Sequence, residues 1–482
     1  MRYLILIHRY LGTAIGIVMV GWCLSGMVMM YVRYPALTAT ERLQNQQPLD
    51  LHRCCVIGAS ALPLDARLEA IEVESLAEVP VLRVQFTDGG RRLIDLTNGE
   101  VISTISAQRA AEIARAGQPQ APRLLGLIAY DEWTVSGEFN RARPLYRFAR
   151  DDPSGTQLYV SAKTGRIVQV TTAHQRFWNW LGAVPHWLYF SQLRHHPALW
   201  SRIIIWSSLA GSFLSGFGIY IGVRQFLRRP AGRWSSHRGL LYWHHVPGLI
   251  FGLFALTWVA SGLISMNPWG FLDSDGGAPG ADALIGPPIG AAQLTDSLRT
   301  LAADSHSRDI VALESTRLWG QPYWIETRAD GTRQRIDLGG RAAALQDADW
   351  RRIGNALGAP ADSMPALMTT GDSYYYSRPG VTVQFPVYRL VLNDAHRTRF
   401  YLDPLTGTPV NVIDADGRWY RWLHVGLHTL DFATALRIRP VWDVVMLILL
   451  AGVTLVCGLG TWLGWRRYLP MGSRRKKHQE LA

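Results

Sequence analysis

Four long segments of this 482-residue chain contain no Asp, Glu, Lys or Arg, and they alternate with polar segments. The uncharged segments are residues 10–32, 203–223, 246–272 and 444–465. A helix rises about 1.5 Å per residue, so each segment is long enough to cross a hydrocarbon layer of about 30 Å. One such run is compatible with the buried core helix of a soluble protein, but four of them predict four transmembrane helices.

Basic residues are concentrated on one side of the predicted spans. Those before the first span, between the second and third, and after the fourth are Arg2, Arg9, Arg224, Arg228, Arg229, Arg233, Arg238, Arg466, Arg467, Arg474, Arg475, Lys476 and Lys477. Only Glu480 opposes them, so these regions account for the whole net charge of +12. The positive-inside rule predicts cytoplasmic termini, a cytoplasmic Arg-rich connection, exterior segments at 33–202 and 273–443, and an uncleaved first span. The charge therefore requires no nucleic-acid partner.

Two internal repeats relate the spans to one another. At an offset of 236 residues, His8, Gly12, Gly16, Ser25 and Gly26 coincide with His244, Gly248, Gly252, Ser261 and Gly262. At an offset of 242 residues, Trp180, His186, Phe190, Trp200, Gly216 and Gly218 coincide with Trp422, His428, Phe432, Trp442, Gly458 and Gly460. We therefore predict a tandem duplication of one unit, made of a span, an exterior domain and a returning span, with both copies crossing the membrane in the same direction.

The exterior segments show alternating strand patterns separated by turn residues. VLRVQF (81–86) and RRLIDL (91–96) meet at Asp88-Gly89-Gly90, which predicts a hairpin. Four further turns, in DLTNGEVI, VSAKTGRIV, IDLGGRAAAL and LDPLTGTPV, place Gly where φ above zero is needed. The Gly-, Pro- and Ala-rich segment 274–293 is expected to be a loop or linker. Cys54 and Cys55 are adjacent, too close for an ordinary structural disulfide, and no CxxCH motif for covalent haem attachment occurs.

Four histidines recur at matching positions of the two copies and are the candidate cofactor ligands. His8 and His244 stand at the predicted cytoplasmic ends of the first and third spans, and His186 and His428 at the exterior approach to the second and fourth. Haem iron held by two neutral imidazoles needs histidines from different helices that face each other. The duplication supplies two such pairs, so we predict two haems per chain. The glycines one and two turns past the first pair, Gly12, Gly16, Gly248 and Gly252, are expected to leave room for the macrocycle.

Simpler interpretations of these residues remain open from the sequence. A histidine at a membrane interface is often an amphipathic anchor, and glycines four residues apart often serve helix packing. His424, one turn before His428, and His245, next to His244, are alternative ligands. They coincide with Gly182 and Arg9 of the other copy, so the duplication favours their neighbours.

With these features the chain resembles the PepSY-associated transmembrane proteins, and among them the siderophore reductases of the bacterial inner membrane. The resemblance lies in the order of span, exterior domain and return span, in the Thr-Gly turns, in the Trp-Leu pair before the histidine of each return span, and in His-x-x-x-Gly at the first and third spans. It covers nearly the whole chain. It implies an integral membrane cytochrome with two b-type haems that passes electrons outward to reduce ferric iron in a siderophore complex.

We therefore predict an α+β integral membrane protein of the bacterial inner membrane, with a bundle of four transmembrane helices, two exterior α+β PepSY-like domains and both termini cytoplasmic. The expected segments are transmembrane helix 1 (1–33), exterior domain 1 (34–198), transmembrane helix 2 (199–225), the cytoplasmic Arg-rich loop (226–243), transmembrane helix 3 (244–272), exterior domain 2 (273–440), transmembrane helix 4 (441–466) and a basic cytoplasmic tail (467–482).

Absent motifs limit the mechanism. The chain has no strand-associated GxGxxG motif and no P-loop, so the electrons would come from a separate, unidentified donor. The four uncharged segments also lack the acids and bases that mark a transport path. Two other functions remain open: a permease for iron or a siderophore, and a membrane-anchored exterior module that binds a peptide or takes part in signalling. The expected partners are a ferric siderophore, the electron donor and the lipid bilayer.

One exterior patch is a candidate contact for the ferric chelate. It combines cations and aromatic rings, namely Arg389, Arg397, Arg399, Tyr374, Tyr375 and Tyr376. A solvated strand face with ordinary packing is the simpler interpretation of the same residues.

Overall fold

The computed structural model describes residues 1–58, 60–115, 120–273, 280–303, 309–360, 363–378 and 381–467. The expected basic tail beyond Arg467 and the first part of the expected linker, 274–279, lie outside the described residues. The helices are α1 (Arg2–Met29), α2 (Ala39–Gln44), α3 (Ala107–Arg115), α4 (Ala173–Leu181), α5 (Ala183–Trp187), α6 (Ser191–Arg194), α7 (Pro197–Leu227), α8 (Leu240–Ser265), α9 (Ala281–Ile285), α10 (Ala291–Ala303), α11 (Asp347–Ala356), α12 (Ala415–Tyr420), α13 (Leu427–Thr429) and α14 (Val441–Trp465).

Four of these helices, α1, α7, α8 and α14, are long and apolar enough to cross a membrane, which confirms that prediction. Their ends differ from the uncharged segments. Helix α1 begins at Arg2 because the helix continues through the basic residues that precede the apolar run. Helix α8 ends at Ser265 rather than at 272, since Asn267 has a φ of 40° and Pro268 follows it. A residue before proline is disfavoured in the helical region, so this turn stops the helix.

The four long helices belong to one compact unit, which we call the helical unit: Met1–Tyr34, Phe177–Asp273 and the chain from Trp419 onward. Helix α1 packs against α7 and α14, and α8 packs against the same two helices. Helices α1 and α8 are therefore diagonal to each other across the bundle. Met19, Leu214, Val259 and Val453, one from each helix, contribute to its buried core. The centre of the bundle lies between the two helices that carry His8 and His244.

The second compact unit, which we call the strand-rich unit, contains Pro35–Arg176 and Ser274–Arg418. Its strands are β1 (Arg67–Leu76), β2 (Val79–Phe86), β3 (Arg91–Asp95), β4 (Arg123–Ile128), β5 (Leu145–Ala149), β6 (Gln157–Ser161), β7 (Ile167–Thr171), β8 (Ile289–Gly290), β9 (Ile310–Leu318), β10 (Gln321–Arg328), β11 (Arg333–Ile336), β12 (Ala366–Met368), β13 (Val387–Val391), β14 (Arg399–Leu402) and β15 (Pro409–Ile413). The expected hairpin is confirmed as β2 and β3, which pair antiparallel.

The two polar segments share one sheet rather than forming the two separate bodies expected. The sheet has the order β11-β10-β9-β1-β2-β3, with β8 also paired to β1, and β1 and β9 join the halves antiparallel. One buried core, including Leu68, Ile94, Leu294 and Trp324, lies against this sheet. Strands β4–β7 and β12–β15 form two further four-stranded sheets. Pairing of β1 with β9 removes two exposed strand edges, which explains why the halves merge.

The predicted turns are present, and two other expectations need correction. Gly99, Gly165, Gly340 and Gly407 all have positive φ, as the four turn patterns require. In the expected linker 274–293, the described part contains α9 and β8, because Leu284 and Ile289 are buried in the protein core. Cys54 and Cys55 form a disulfide, contrary to expectation; the cis peptide between them brings their Cα atoms to 3.2 Å.

Candidate functional site

The four recurrent histidines form two facing pairs in the helical unit. The ring centroids of His8 and His244 are 6.2 Å apart, and so are those of His186 and His428. Two imidazole nitrogens that each lie about 2 Å from one metal ion place their ring centroids about 6 Å apart. We call His8 and His244 the inner pair, and His186 and His428 the outer pair. Both spacings match a metal held between two imidazoles.

In the inner pair, each ring is oriented by a backbone carbonyl of a neighbouring helix. His8 Nδ1 lies 3.1 Å from the Leu214 carbonyl oxygen, and His244 Nδ1 lies 3.0 Å from that of Val456. A carbonyl can only accept, so the proton of each neutral imidazole is on Nδ1 and Nε2 keeps its lone pair. These are the neutral, oriented imidazoles that a metal ligand requires.

In the outer pair, a serine of a diagonal helix helps to orient each ring. His186 Nδ1 lies 3.1 Å from both the Trp22 carbonyl and Ser25 Oγ. His428 Nδ1 lies 3.0 Å from Ser261 Oγ, whose hydroxyl donates to the Trp258 carbonyl. Because each serine proton is given to a helix carbonyl, its oxygen accepts from Nδ1–H. The lone pair of Nε2 is therefore free of this bond in both rings.

Short helices hold the outer histidines in place. His186 lies in α5 and His428 in α13, and each helix ends at a leucine in the left-handed conformation, Leu188 and Leu430. The indole N–H of Trp200 donates to the Trp187 carbonyl, and that of Trp442 donates to the Thr429 carbonyl, both at 2.8 Å. These bonds tie each short helix to the start of the long helix that follows, so both histidines are positioned by matching contacts.

The glycines beside the histidine rings are not the ones predicted from the sequence. A Cβ at Gly218 would lie 2.7 Å from the His8 ring, and one at Gly460 would lie 2.8 Å from the His244 ring. By contrast, the four glycines expected to leave room face side chains of neighbouring helices: Gly12 faces Leu214, Gly16 faces Thr461, Gly248 faces Val456 and Gly252 faces Ile219. Those four serve helix packing. The sequence signal for the correct glycines was the second repeat, which aligns Gly218 with Gly460.

The two pairs stand at different levels of the bundle. The His186 ring contacts α1 at Trp22, Ser25 and Gly26, and these positions are 14 to 18 residues beyond His8. At about 1.5 Å per residue, this places the outer contacts roughly 21–27 Å along α1 from His8. A hydrocarbon layer is about 30 Å thick, so the pairs lie near its two faces if α1 spans it.

The alternative ligands His245 and His424 have different surroundings. His245 Nδ1 lies 2.8 Å from Ser235 Oγ, and its Nε2 lies 2.9 Å from the Gly222 carbonyl, so both nitrogens are used within the protein. His424 lies in a π-helical turn, Arg421–Gly426, with its Nδ1 3.0 Å from the Ser261 carbonyl and its ring centroid 5.5 Å from that of His428. His245 is thus unsuited to ligation, and His424 is a close neighbour of the outer pair.

A bare metal ion fits these pairs poorly. Among the described residues, no group of three or more His, Cys, Asp or Glu side chains is arranged to hold a metal ion. Structural and catalytic sites for a bare ion such as zinc use three or four protein ligands. A haem iron needs only axial ligands from the protein. Near the outer pair, the buried indole nitrogen of Trp258 also has no hydrogen-bond partner among the described residues.

The candidate docking patch of the strand-rich unit is largely engaged in internal contacts. Asp372 accepts from Arg389 at 3.1 Å and from the Tyr401 hydroxyl at 2.8 Å, and the Tyr375 ring stacks on that of Tyr401 at 4.7 Å. The Arg399 guanidinium lies over the Tyr374 ring. These contacts favour the simpler interpretation, ordinary packing, for most of the patch.

A polar cavity of about 540 Å³ lies where the two halves of the strand-rich unit meet. Glu72 and Glu314, opposite each other on β1 and β9, line it with Glu74 and Arg166. Burial alone would raise the pKa of Glu74, but Arg83 and Arg166 outweigh burial and lower it. Desolvation, and then the Glu72 carboxylate, raise the pKa of Glu314. Arg166 pairs with both Glu72 and Glu74, which offsets part of the repulsion across this seam.

The four apolar helices and the mixture of helix and sheet define an integral membrane protein of mixed α and β structure. The model of the family described as the PepSY-associated TM region matches residues 5–467. The chain therefore belongs to this family, and the resemblance inferred from the sequence is confirmed. No curated protein sequence matches it.

The Asp372 cluster predicts a pH-dependent stability. Burial would raise the pKa of Asp372, but hydrogen bonds from the Tyr375 and Tyr374 N–H groups, Tyr401 and Arg389 lower it. The folded state therefore gains stability above the unfolded pKa, about 3.9, and loses it as pH falls towards the lower folded value. Asp372→Asn should lower the melting temperature at pH 7, and the difference from wild type should shrink below about pH 4.

The matched control is Asp296→Asn, which removes an exposed carboxylate of helix α10. Thermal unfolding of the detergent-solubilised full chain, followed by circular dichroism across pH, measures both variants. A difference between Asp372→Asn and wild type that stays constant down to pH 3 would contradict the assigned charge.

Proposed function

We propose that the protein is a b-type dihaem cytochrome of the bacterial inner membrane that reduces ferric siderophore iron on the exterior side. The observation that carries the proposal is the presence of two facing histidine pairs at 6.2 Å, each with Nε2 lone pairs kept available by Nδ1 hydrogen bonds. One haem would be held by His8 and His244, and the other by His186 and His428. Haem iron supplies reversible one-electron transfer when bound.

The surroundings of the histidines suit such a cofactor. A hydrogen bond from Nδ1–H to a carbonyl or serine oxygen raises the basicity of Nε2 and fixes the ring plane. The bundle core around the pairs is apolar, with Ala255, Leu450 and Val453 buried in it, and such a shell limits the access of water. Gly218 and Gly460 allow the inner rings to approach α7 and α14 closely. The chain thus contributes two oriented ligands per site in a dry, closely packed bundle.

The direction of electron flow follows from the topology that we propose. Both termini and the Arg-rich connection are cytoplasmic, because the basic residues cluster there. The inner pair then lies near the cytoplasm and the outer pair near the exterior. We propose in addition that the chain is a tandem duplication with two PepSY-like exterior halves. Matching contacts support this, since Leu214 and Val456, Trp200 and Trp442, and Gly218 and Gly460 play equivalent roles.

The proposed substrate is iron(III) held by the hard oxygen donors of a siderophore. One electron delivered from the outer site reduces it to iron(II), for which such oxygen ligands have lower affinity. Because neither outer nor inner ligand pair leaves an axial position open, the chelate would receive its electron without binding to the cofactor iron. Release of iron then follows from the change in its charge.

Replacement of the histidines should remove the two cofactors separately. Detergent-purified protein should show a b-type absorption spectrum with about two haems per chain, extractable because no thioether links hold them. His8→Ala or His244→Ala should leave about one haem per chain, and so should His186→Ala or His428→Ala, with different reduction potentials for the haem that remains. His245→Ala, next to His244, serves as the control and should keep both. A folded, haem-free wild-type protein would reject the proposal.

Two neighbouring glycines of α7 give a sharper test of the inner site. A Cβ at Gly218 would lie 2.7 Å from the His8 ring, whereas one at Gly216 has no atom within 4 Å. Gly218→Ala should therefore displace His8 and lower the inner haem content, while Gly216→Ala should leave the spectrum unchanged. Both variants make the same chemical change in the same helix, so general loss of helix packing is controlled. Equal haem contents in the two would contradict the assigned geometry.

Electron delivery to iron can be measured directly. The purified protein is reduced chemically, excess reductant is removed, and ferric siderophores of several chemical classes are added under anaerobic conditions. The haem bands should return to the oxidised form while iron(II) appears in a ferrous trap, one iron per electron. Bands that stay reduced with every chelate would leave a haem protein without the proposed reductase activity.

A further inference from the structure

The connection between α7 and α8 presents an exposed surface with a single sign of charge. It contains Arg224, Arg228, Arg229, Arg233 and Arg238, and the sequence from 224 to 245 contains no Asp or Glu. All of these arginines except Arg229 are exposed. The Arg229 guanidinium instead lies 3.6 Å from the centroid of the Phe226 ring. We call residues 224–238 the basic connection.

Hydrogen bonds hold the basic connection to both neighbouring helices. The His237 backbone N–H donates to Ser235 Oγ at 3.0 Å, and the Ser235 hydroxyl donates to His245 Nδ1 at 2.8 Å. His245 Nε2–H donates to the Gly222 carbonyl of α7 at 2.9 Å, and the His237 ring bonds Gln225 at 2.7 Å. Ser235 and His245 are both buried. A topology signal acts through charge alone and does not require this ordered structure.

The same network reaches the inner histidine pair. It ends at His245, the chain neighbour of His244, and exposed Arg238 precedes His244 by six residues. The chain has no GxGxxG motif and no P-loop, so it carries no recognisable nucleotide site of its own. An electron that reaches the inner pair therefore arrives from another molecule, and the basic connection is the ordered surface nearest to it in the chain.

We propose that the basic connection docks a soluble one-electron carrier with an acidic surface, which is the electron donor of the reductase. This proposal rests on the proposed function. The carrier is oxidised by one electron and the protein is reduced by one, so the exchange needs no other reactant. Complementary charge raises the association rate and orients the partner, and it is weakened by salt. Anionic lipid headgroups would suit the same charges and are separated by the experiment.

Binding to the full chain tests the proposal without requiring turnover. The protein is placed in nanodiscs of phosphatidylcholine, which is electrically neutral, and an oxidised plant-type [2Fe–2S] ferredoxin serves as the acidic one-electron probe. The triple variant Arg228→Gln, Arg233→Gln and Arg238→Gln should bind ferredoxin at least tenfold more weakly at low ionic strength. The corresponding Arg→Lys variant keeps the charge and should retain the wild-type affinity to within about threefold.

A matched control removes the same charge elsewhere. Arg123→Gln, Arg141→Gln and Arg351→Gln change three exposed arginines of the strand-rich unit and should leave ferredoxin binding unchanged. As a second readout, haem reduction by reduced ferredoxin should slow in proportion to the loss of binding. Reduction by the methyl viologen radical, a small cation, should not slow.

The outcomes separate this inference from the proposed function. Equal ferredoxin affinities for wild type and the Arg→Gln variant would overturn the docking surface, even if haem and ferric reduction are found. If the variant loses affinity only for a phosphatidylglycerol surface, the basic connection binds lipid and the proposal is wrong. A haem-free wild type that still binds ferredoxin through these arginines would overturn the reductase and leave the docking surface supported.

Discussion

The hydrogen bond from each histidine Nδ1 to an oxygen of a neighbouring helix is the interaction on which the site depends. An unbound imidazole ring could rotate, and its proton could occupy either nitrogen. The carbonyls of Leu214, Val456 and Trp22 remove both freedoms, because they can only accept. The same bonds cross between helices, so they also fix where α1 and α8 stand relative to α7 and α14. Helix packing and ligand geometry are therefore one problem with one solution.

A second constraint acts in the strand-rich unit, where two half-sheets meet. Pairing of β1 with β9 satisfies backbone groups that would otherwise be exposed on two edges, but it brings Glu72 opposite Glu314. Arg166 lies beside Glu72 and Glu74 and offsets part of the repulsion. The cost of like charges is accepted because the shared core, with Trp324 and Leu68 fully buried, stabilises the junction.

Much of the site could be predicted from the sequence because the chain presents each solution twice. A histidine that recurs at both offsets is constrained in two places, so His8 with His244 and His186 with His428 stood out from the other histidines. The same repeats carried Gly218 with Gly460 and Trp200 with Trp442, whose contacts became evident only from the structure. Periodicity also predicted the spans, since an apolar run of sufficient length has few alternatives in any fold.

The features that escaped prediction depend on long-range geometry. Whether β1 ends as an edge or pairs with β9, more than 230 residues later, is decided by two surfaces that no local pattern describes. Gly12 and Gly16 have the spacing of residues beside a cofactor, yet spacing alone does not reveal which helix faces them. Arg389 and Tyr375 read as a surface patch because their partners, Asp372 and Tyr401, lie on other elements of the sheet.

The two halves of the helical unit are alike at the inner pair and different at the outer pair. The inner rings have equivalent carbonyls and equivalent glycines. At the outer level, His186 lies in a short α-helix, while His428 follows a π-helical turn that carries His424 where the other half has Gly182. π-Helical turns inside helices occur frequently at functional sites. Electron entry needs only a ligand pair, which symmetry supplies, whereas recognition of an asymmetric chelate requires the two halves to differ, and they differ at the level where the chelate would be reduced.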